Sequence, residues 1–535
     1  MTGQLSFRRN KMSEANKNVV KVLKAAVGKD NVLTDQESLS FYSMDVYRSI
    51  ETPIAIVQPG SIEELQEAVR VTTGLGVAIV TRGGGASYTD GYLPTTAESV
   101  IVETSRLNKI IEINEEDMFI TVEPGVTWAE MADALGESNL RTPFWGPFSG
   151  LKATVGGSTS QNSVSMGTSR YGGSPESILC YDIVLANGDI LKTGSSAMEQ
   201  SSPFFRHYGP DLTGLFSGDA GSLGVKASIT LRLIKLPSHS LTCSFGFKSY
   251  DAMSQAMAAA AREESTSSNW GLDPKLQQGQ LGSTSFTDAL KAAFAVLKTA
   301  RNPFEAFLQL GKMALAGKRF LTGYDYSAHF VVEGHSISEV KSKLAQTRKA
   351  LSPYGTEIAN TIPTVLGAMP FMPLYPILGP QGERWVPMHG LLSFSKMQEM
   401  HNRLMNLYAE KKDEMEECSV YAGAMYMTYS THSFLYEVAL YWQDDRTIYH
   451  KLFLDQDYLD MLPTYPENKE GRALVAELRA SIQEIYSDLG AVHFQVGKSY
   501  PYQKGRQTLA ADTLRAIKKS VDPKNLMNPG ALGLE

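Results

Sequence analysis

A segment of small residues at positions 151–173 constrains the fold of this chain more than any other part of the sequence. It reads "LKATVGGSTSQNSVSMGTSRYGG", and between Val155 and Tyr171 its only larger apolar residues are Val164 and Met166. Because protein cores are close-packed by larger side chains, a segment of this composition fills a core poorly. Glycines and short hydroxyl side chains instead let a backbone approach a ligand and hydrogen-bond to it. We therefore expect the segment to lie along an extended polar ligand.

A run of three glycines follows a predicted strand earlier in the chain. The strand is the apolar "GVAIV" at 76–80, and the loop "TRGGGASYTDG" occupies 81–91. Consecutive free backbone N–H groups can form a concave site for phosphate oxygens. The standard phosphate motifs, GxxxxGK[ST] and a GxGxxG that opens a helix, are absent. Alone, the loop therefore allows two interpretations, a pyrophosphate site or a tight structural turn.

Two further glycine turns favour the ligand-binding interpretation. Pro124-Gly125 separates a predicted strand from a predicted helix, and "GLFSGDAGSLGV" at 214–225 leads into another strand. Together with 81–91 and 151–173, these turns indicate a single long ligand that carries a diphosphate and a flat ring system.

The chain alternates predicted helices and strands up to Pro237, and Asn187-Gly188 predicts an antiparallel hairpin. This is an α+β pattern rather than a regular βαβ series. We predict an N-terminal extension (1–17), a ligand-binding domain (18–240), a second domain (241–490) and a C-terminal segment that returns to the first (491–535). The formal net charge of −7 gives no reason to expect nucleic acid as a partner.

Six blocks of the sequence, taken together, resemble the FAD-linked oxidases of the vanillyl-alcohol oxidase / p-cresol methylhydroxylase superfamily. They are "IVQPGSIEELQEAV", "TRGGGASYTDG", "VEPGVTWAEM", the segment that begins "ATVGGSTSQNSVSMG", "GPDLTGLFSGDAGSLGV" and "AIKKSVDPKNLMNPGALGL". The fifth block is most similar to the D-lactate / glycolate dehydrogenase branch. The resemblance implies a two-domain fold in which an α+β cap domain covers the flavin of an FAD-binding domain.

The resemblance also implies which residues would hold FAD. Carried over by position, they are Arg82, Gly83, Gly84, Gly85, Ala86, Ser87, Tyr88, Pro124, Gly125, Thr154, Val155, Gly156, Gly157, Ser160, Asn162, Val225 and Asn528. Some members attach FAD covalently through a histidine of the glycine loop, and this loop contains none. We therefore predict noncovalent FAD, and a covalent link through a histidine or tyrosine of the cap domain is left open.

The hydroxy-acid branch usually builds a metal site from an HxGDGNxH block and a C-terminal EHGIG, and both differ here. "YSAHFVVEGHS" keeps His329 and His335 without the glycine–aspartate run, and Val492 stands where the glutamate would be. We therefore predict no metal. His493 remains at the matching position and is the first candidate for a general base.

Four other residues complete the predicted catalytic set. Arg384 and His389 lie in "GERWVPMHGLLSFS", which resembles the cap segment that faces the flavin, so Arg384 would pair with an anionic substrate group. Lys498 is close to His493. Tyr426 belongs to the aromatic run 418–442, where a period of two places Met425 on one face and Tyr426 on the other.

Two enzymatic functions follow from the resemblance. The first is FAD-dependent oxidation of an alcohol or a 2-hydroxy acid, with His493 as the base. The second is oxidation of a para-substituted phenol at its benzylic carbon. A non-catalytic binding protein on the same fold is the alternative of another class. The electron acceptor, whether dioxygen, a cytochrome or a quinone, is left open.

Three scattered cysteines, a polar N-terminus and the absence of about 18 consecutive apolar residues predict a cytoplasmic protein. The segment 288–321 has two apolar helical stretches with basic residues along them, so a peripheral membrane contact is one interpretation and a cover for a core is the other. We also expect a homo-oligomer.

Overall fold

The computed structural model describes residues 13–277 and 323–534. The segment 288–321, for which the sequence suggested a membrane contact, lies outside the described residues. Within them, the chain forms a four-stranded, a five-stranded and a two-stranded sheet before position 238 and one large sheet after it. No helix in these two described stretches has both the length and the apolar character needed to span a bilayer.

The first sheet has four strands in the order β1-β2-β4-β3, and β2, β4 and β3 run parallel. Its strands are β1 (Val32–Leu33), β2 (Ala55–Val57), β3 (Ala78–Arg82) and β4 (Ser99–Glu103). Helices α1 (Glu14–Val27) and α3 (Ile62–Gly74) contribute Leu23, Leu65 and Val69 to the same apolar cluster as Val100. Because β3 is a buried parallel strand, the glycine loop that follows it begins at the edge of the core.

The second sheet has five antiparallel strands in the order β5-β6-β10-β8-β9. They are β5 (Ile110–Asn114), β6 (Phe119–Val122), β8 (Ile178–Val184), β9 (Ile190–Lys192) and β10 (Val225–Arg232), while β7 (Leu140–Arg141) pairs separately with β11 (Ile234–Lys235). The antiparallel hairpin predicted at Asn187-Gly188 is confirmed, since β8 and β9 pair around it and Gly188 has a φ of 85°.

The third sheet has seven antiparallel strands in the order β15-β12-β14-β13-β17-β18-β16. They are β12 (His239–Phe247), β13 (Ser268–Leu272), β14 (Tyr326–Gly334), β15 (Thr356–Ile358), β16 (Arg384–Ser393), β17 (Val420–Tyr429) and β18 (Ser433–Trp442). We call it the cap sheet. Helices on one of its faces bury Met253, Met257, Leu344, Leu404 and Leu478.

The remaining helices connect these layers. They are α2 (Gln36–Tyr42), α4 (Trp128–Glu137), α5 (Val155–Ser160), α6 (Thr168–Tyr171), α7 (Leu212–Leu215), α8 (Tyr250–Arg262), α9 (Ile337–Leu351), α10 (Thr361–Ala368), α11 (Met397–Glu410), α12 (Lys412–Glu417), α13 (Ile448–Phe453), α14 (Gln456–Asp460), α15 (Lys469–Asp488) and α16 (Thr508–Val521).

The C-terminal segment contacts both halves of the molecule. Val492 exchanges two backbone hydrogen bonds with Leu391 of β16, at 2.8 and 3.0 Å. Further on, the N–H of Ile79 donates to the carbonyl of Leu526 at 2.7 Å, which places the tail beside β3. The tail therefore passes from the edge of the cap sheet to the sheet that carries the glycine loop. The domain boundaries proposed from the sequence stay predictions.

Candidate active site

The glycine loop presents a row of free backbone donors. Within the described part of the chain, none of the N–H groups of residues 83–88 donates a hydrogen bond. The loop is nevertheless fixed, because the hydroxyls of Tyr92 and Tyr449 donate to the carbonyl of Gly85 at 2.6 and 2.8 Å. Backbone N–H groups near the interior require acceptors, so this row is suited to the oxygens of an anionic ligand.

The glycines of the loop are required by its close packing against the N-terminus of α5. A Cβ atom on Gly83 would lie 2.4 Å from Thr154 Oγ1, and one on Gly84 would lie 1.7 Å from the carbonyl oxygen of Lys152. Thr154 caps α5 by accepting a hydrogen bond from the N–H of Gly157 at 3.1 Å. Only residues without side chains allow the loop and the helix to meet this closely.

Arg82 lies beside the loop in an aromatic surround. Its guanidinium carbon is 5.0, 4.7 and 5.3 Å from the ring centroids of Phe41, Tyr42 and Tyr92. A Cβ on Gly85 would be 2.3 Å from its Nη2, so the guanidinium supports the loop from within the protein. Ala86, Ser87 and Tyr88 continue the loop as half-buried residues.

The remaining predicted cofactor residues form the continuation of this surface. The N–H groups of Val155 and Gly156 are already used by the carbonyls of Val126 and Pro124, at 2.8 and 3.0 Å, and that of Gly125 is used by Leu107. These backbone N–H groups are therefore part of the surface beside the glycine loop, but they are not free to donate a hydrogen bond to a ligand.

Asn162 is a polar residue of this surface whose side-chain oxygen lacks a partner. It has a φ of 52°, and its Oδ1 is buried without a hydrogen bond. Ser160 lies two residues before it and is half-buried. A buried acceptor that its own chain leaves unsatisfied is suited to a donor group of a ligand.

The structure places Lys498 with Asn528 at the end of the glycine loop. Lys498 Nζ donates to Asn528 Oδ1 at 2.6 Å and to the carbonyl of Leu93, and Asn528 Nδ2 donates to the carbonyls of Gly91 and Ala220. Burial lowers the pKa of Lys498 to about 7. These contacts tie the tail to the loop and give Lys498 a positioning role there, while its catalytic role stays a prediction. Val225, the first residue of β10, is buried and paired with Val184.

The face of the cap sheet opposite these helices is turned toward the glycine loop. Tyr88 of the loop lies with its ring centroid 5.6 Å from that of Trp385 and 6.1 Å from that of His389, both on β16. Since directly opposed residues of adjacent strands share a face, Glu437 of β18 and Met425 of β17 stand beside His389 in one row. This row and the loop enclose the candidate active site.

His389 belongs to the site but lacks any polar partner of its own. Its side chain is fully buried, and neither ring nitrogen forms a hydrogen bond in the described structure. The ring stacks on Phe494 at 3.9 Å. Burial holds the pKa of His389 well below the ordinary value, so the ring is neutral and presents one donor and one acceptor.

His493 is held beside His389 by a hydrogen bond that fixes its tautomer. Nδ1 lies 2.6 Å from the carbonyl oxygen of His389, which can only accept, so Nδ1 carries the proton. The ring also stacks on Tyr500 at 3.8 Å. Burial lowers the pKa of His493 to about 4. The imidazole is therefore neutral above that pH, with its basic lone pair on Nε2.

Glu437 is the functional candidate that the sequence analysis did not identify. Burial raises the pKa of its carboxyl to about 7, and no hydrogen bond or charge of the described residues contributes to that shift. A signal was available, because Glu437 is the only charged residue in "SFLYEVALYW". A single acid inside an apolar strand is unusual enough to indicate a role.

Two members of the predicted catalytic set lie on the opposite face of the cap sheet. Arg384 pairs with Asp444 at 3.1 Å and donates to the carbonyl of Tyr47, so it is not available to an anionic substrate. Tyr426 is buried among Tyr250 and Tyr436 in the cap core. Both assignments are corrected, because strand alternation turns these side chains away from the loop.

The buried pair of Arg384 and Asp444 predicts a large stability effect. Asp444→Asn should lower the free energy of unfolding by about 3 kcal/mol, since it leaves a buried guanidinium without its counter-charge. Urea denaturation of the purified protein measures this change. Asp445→Asn is the matched control, because Asp445 is paired only with the half-exposed Arg472, and it should stay within about 0.5 kcal/mol of the unmodified protein. Equal effects of both variants would contradict the prediction.

Comparison with known proteins identifies the region that contains the loop. Residues 53–194 match the family described as FAD binding domain. The structural features agree with that ligand, because the free N–H groups of 83–88 suit a pyrophosphate and the unsatisfied Asn162 Oδ1 suits a donor group. In the described residues, no group of three or more His, Cys, Asp or Glu side chains is arranged to hold a metal ion.

Several curated proteins are similar to this chain over part of its length. The mitochondrial D-lactate dehydrogenase (cytochrome) of Arabidopsis thaliana is 32% identical over 40% of this chain and 37% of its own length. A glycolate oxidase subunit of Bacillus subtilis is 30% identical over 45% and 50%, and the 4-cresol dehydrogenase flavoprotein subunit of Pseudomonas putida is 34% identical over 38% and 40%. The chain thus spans half or less of each of these relatives.

Two solved structures have folds similar to that of this chain over almost its whole length. p-Cresol methylhydroxylase with bound substrate has a TM-score of 0.72 and 18% identity, covering 98% of both chains. An alkyldihydroxyacetonephosphate synthase has a TM-score of 0.68 and 16% identity, covering 98% of this chain and 88% of its own. The chain therefore contains an FAD binding domain at residues 53–194, and it has the α+β fold of these two proteins, as the resemblance in its sequence predicts.

Proposed function

We propose that this protein is an FAD-dependent oxidoreductase that removes hydride from the C–H bond of an alcohol or a 2-hydroxy acid. The observation that carries the proposal is the position of the glycine loop, with its free N–H groups, opposite a cap-sheet face that bears His389, Glu437 and the neighbouring His493. When bound, FAD would supply a hydride acceptor. Residues 83–88 and Asn162 would hold it.

The chain itself supplies the proton acceptor. His493 is neutral and its tautomer is fixed, so Nε2 can take the proton of a substrate hydroxyl. The stacked Tyr500 and the carbonyl of His389 keep the ring in one orientation. His389, also neutral, would orient the substrate through a hydrogen bond.

A second candidate function is the oxidation of a para-substituted phenol. It is favoured by the aromatic lining of the same face, where Tyr421 and Tyr441 stack at 4.8 Å and Trp385 stands opposite Tyr441 across the strands. The aromatic substrate named for p-cresol methylhydroxylase is consistent with such a lining.

The absorption spectrum of the purified protein tests both enzymatic proposals. We expect flavin bands at about 370 and 450 nm that remain with the protein through gel filtration and are released by acid precipitation, as for a noncovalent flavin. A colourless protein that FAD does not reconstitute would leave only the non-catalytic alternative. Anaerobic bleaching by alcohols and D-2-hydroxy acids, compared with bleaching by 4-alkylphenols, then separates the two enzymatic candidates.

The compartment, the domain organisation, the oligomeric state and the electron acceptor of the protein are also proposals. All three cysteines are free thiols, which is consistent with the reducing cytoplasm. We retain a two-domain organisation divided near 240 and 490, and a homo-oligomer. Dioxygen, a cytochrome or a quinone would take the electrons; a reoxidation assay with each acceptor distinguishes them.

A further inference from the structure

The face of the cap sheet that is turned toward the glycine loop contains one acidic side chain whose neighbours are uncharged. Glu437 stands between His389 and Met425 at the centre of three paired strands. The groups that interact electrostatically with it or stand opposite it are neutral near pH 7, namely Tyr88, Tyr441, Tyr486, Tyr500 and His389. Among the described residues, no counter-charge offsets an ionised Glu437.

Two cations of the cap and the tail are bound to other groups. Arg384 is paired with Asp444 on the opposite face. Lys498 binds Asn528. Arg479 lies with its guanidinium carbon 4.3 Å from the ring centroid of Tyr47, and no hydrogen bond or ion pair of the described residues joins it to Glu437. A substrate carboxylate placed against Glu437 would therefore meet a like charge.

We propose that Glu437 determines specificity, accepting a hydrogen bond from an uncharged donor group of the substrate and excluding substrates that carry a carboxylate at that position. This inference rests on the proposed function, and it narrows the substrate class to neutral alcohols or phenols. The physical reason is that two like charges in a poorly solvated site repel strongly, whereas a carboxylate and a neutral O–H or N–H form a charge-assisted hydrogen bond.

A pair of nearly isosteric probes tests the proposal by equilibrium binding. Mandelamide and mandelate share an aromatic ring and a hydroxyl, and they differ in a neutral amide against a carboxylate. Isothermal titration calorimetry on the purified protein measures both dissociation constants without requiring turnover. We expect mandelamide to bind at least about tenfold more tightly than mandelate near pH 8 in the unmodified protein, and the ratio to fall to about twofold or less in Glu437→Gln.

The pH dependence provides a second readout. Since burial raises the pKa of Glu437 to about 7, the carboxyl is protonated at about pH 6, and the preference for mandelamide should shrink there in the unmodified protein. Asp45 and Lys498, under the glycine loop, also have pKa values shifted to about 7. The pH dependence that remains in Glu437→Gln measures their contribution.

The control is a variant that removes a distant negative charge. Glu410→Gln removes one charge from the exposed end of α11 and should leave the ratio unchanged. A ratio that Glu437→Gln does not alter, or failure of both probes to bind, would overturn the proposal. Because calorimetry does not measure flavin reduction, a protein that binds these probes with the expected ratio but never bleaches refutes the proposed oxidation and not the role of Glu437.

Discussion

Gly84→Ala should weaken the binding of FAD by about 5- to 150-fold. The added Cβ would be placed 1.7 Å from the carbonyl oxygen of Lys152, which is backbone and cannot rotate away. The loop must therefore move away from α5, and the row of free N–H groups at 83–88 moves with it. Overpacking of this kind costs about 1–3 kcal/mol. Because the loop can relax once FAD has left, this strain opposes binding and should raise the dissociation constant roughly 5- to 150-fold.

The measurement is a fluorescence titration of the flavin-free protein with FAD. Gly74→Ala is the matched control, because Gly74 ends helix α3 and an added Cβ would have nothing within 4 Å. That variant should bind FAD as tightly as the unmodified protein. Circular dichroism of Gly84→Ala must retain the far-UV signal, so that loss of binding is not loss of the fold. A folded Gly84→Ala protein with unchanged affinity for FAD would refute the assignment of the loop.

The glycine loop was predictable because its determinants are local in sequence. A glycine is needed wherever the backbone must approach other atoms too closely for a Cβ, and the structure shows such an approach to the backbone of Lys152 and to the side chain of Thr154. The small-residue segment 151–173 likewise places Lys152 and Thr154 next to the loop. Composition alone predicted an extended polar ligand for this segment, and FAD was implied by the family resemblance.

The catalytic side was less predictable because it depends on strand register. The period of two correctly separated Met425 from Tyr426, but alternation alone does not say which set faces the glycine loop. That choice follows from β16 pairing with β18, which sets Arg384 against Trp442 and His389 against Glu437. The Arg384–Asp444 pair joins residues 60 positions apart, and no local signal in the sequence announced it.

Glu437 also depends on contacts between residues that are distant in the sequence. Its significance lies in what surrounds it, and those neighbours come from the glycine loop, two other strands and the C-terminal tail. Sequence spacing contains none of these contacts. His493 was identified by its position in a family motif, and its structural partners, His389 and Tyr500, now give that assignment a physical basis that is open to test.

His493→Ala should slow flavin reduction by about 10²- to 10⁴-fold, the usual contribution of a positioned general base. Stopped-flow bleaching at about 450 nm, with the substrate that reduces the unmodified protein, measures the rate. His335→Ala is the control, because that histidine is exposed and its loss should leave the rate unchanged. A His493→Ala protein that bleaches at the original rate would remove His493 from the mechanism.

The pH profile of the same reaction decides between the two half-buried candidates for the base, His493 and Glu437. A base acts only when unprotonated, so the rate must fall as the pH drops through its pKa in the folded protein. Burial lowers the pKa of His493 to about 4 and raises that of Glu437 to about 7. If His493 is the base, the rate stays constant between about pH 6 and pH 8 and declines only toward pH 4. A decline centred near pH 7 that disappears in Glu437→Gln would transfer the proton-accepting role to Glu437, because no change in the protonation of His493 occurs in that range.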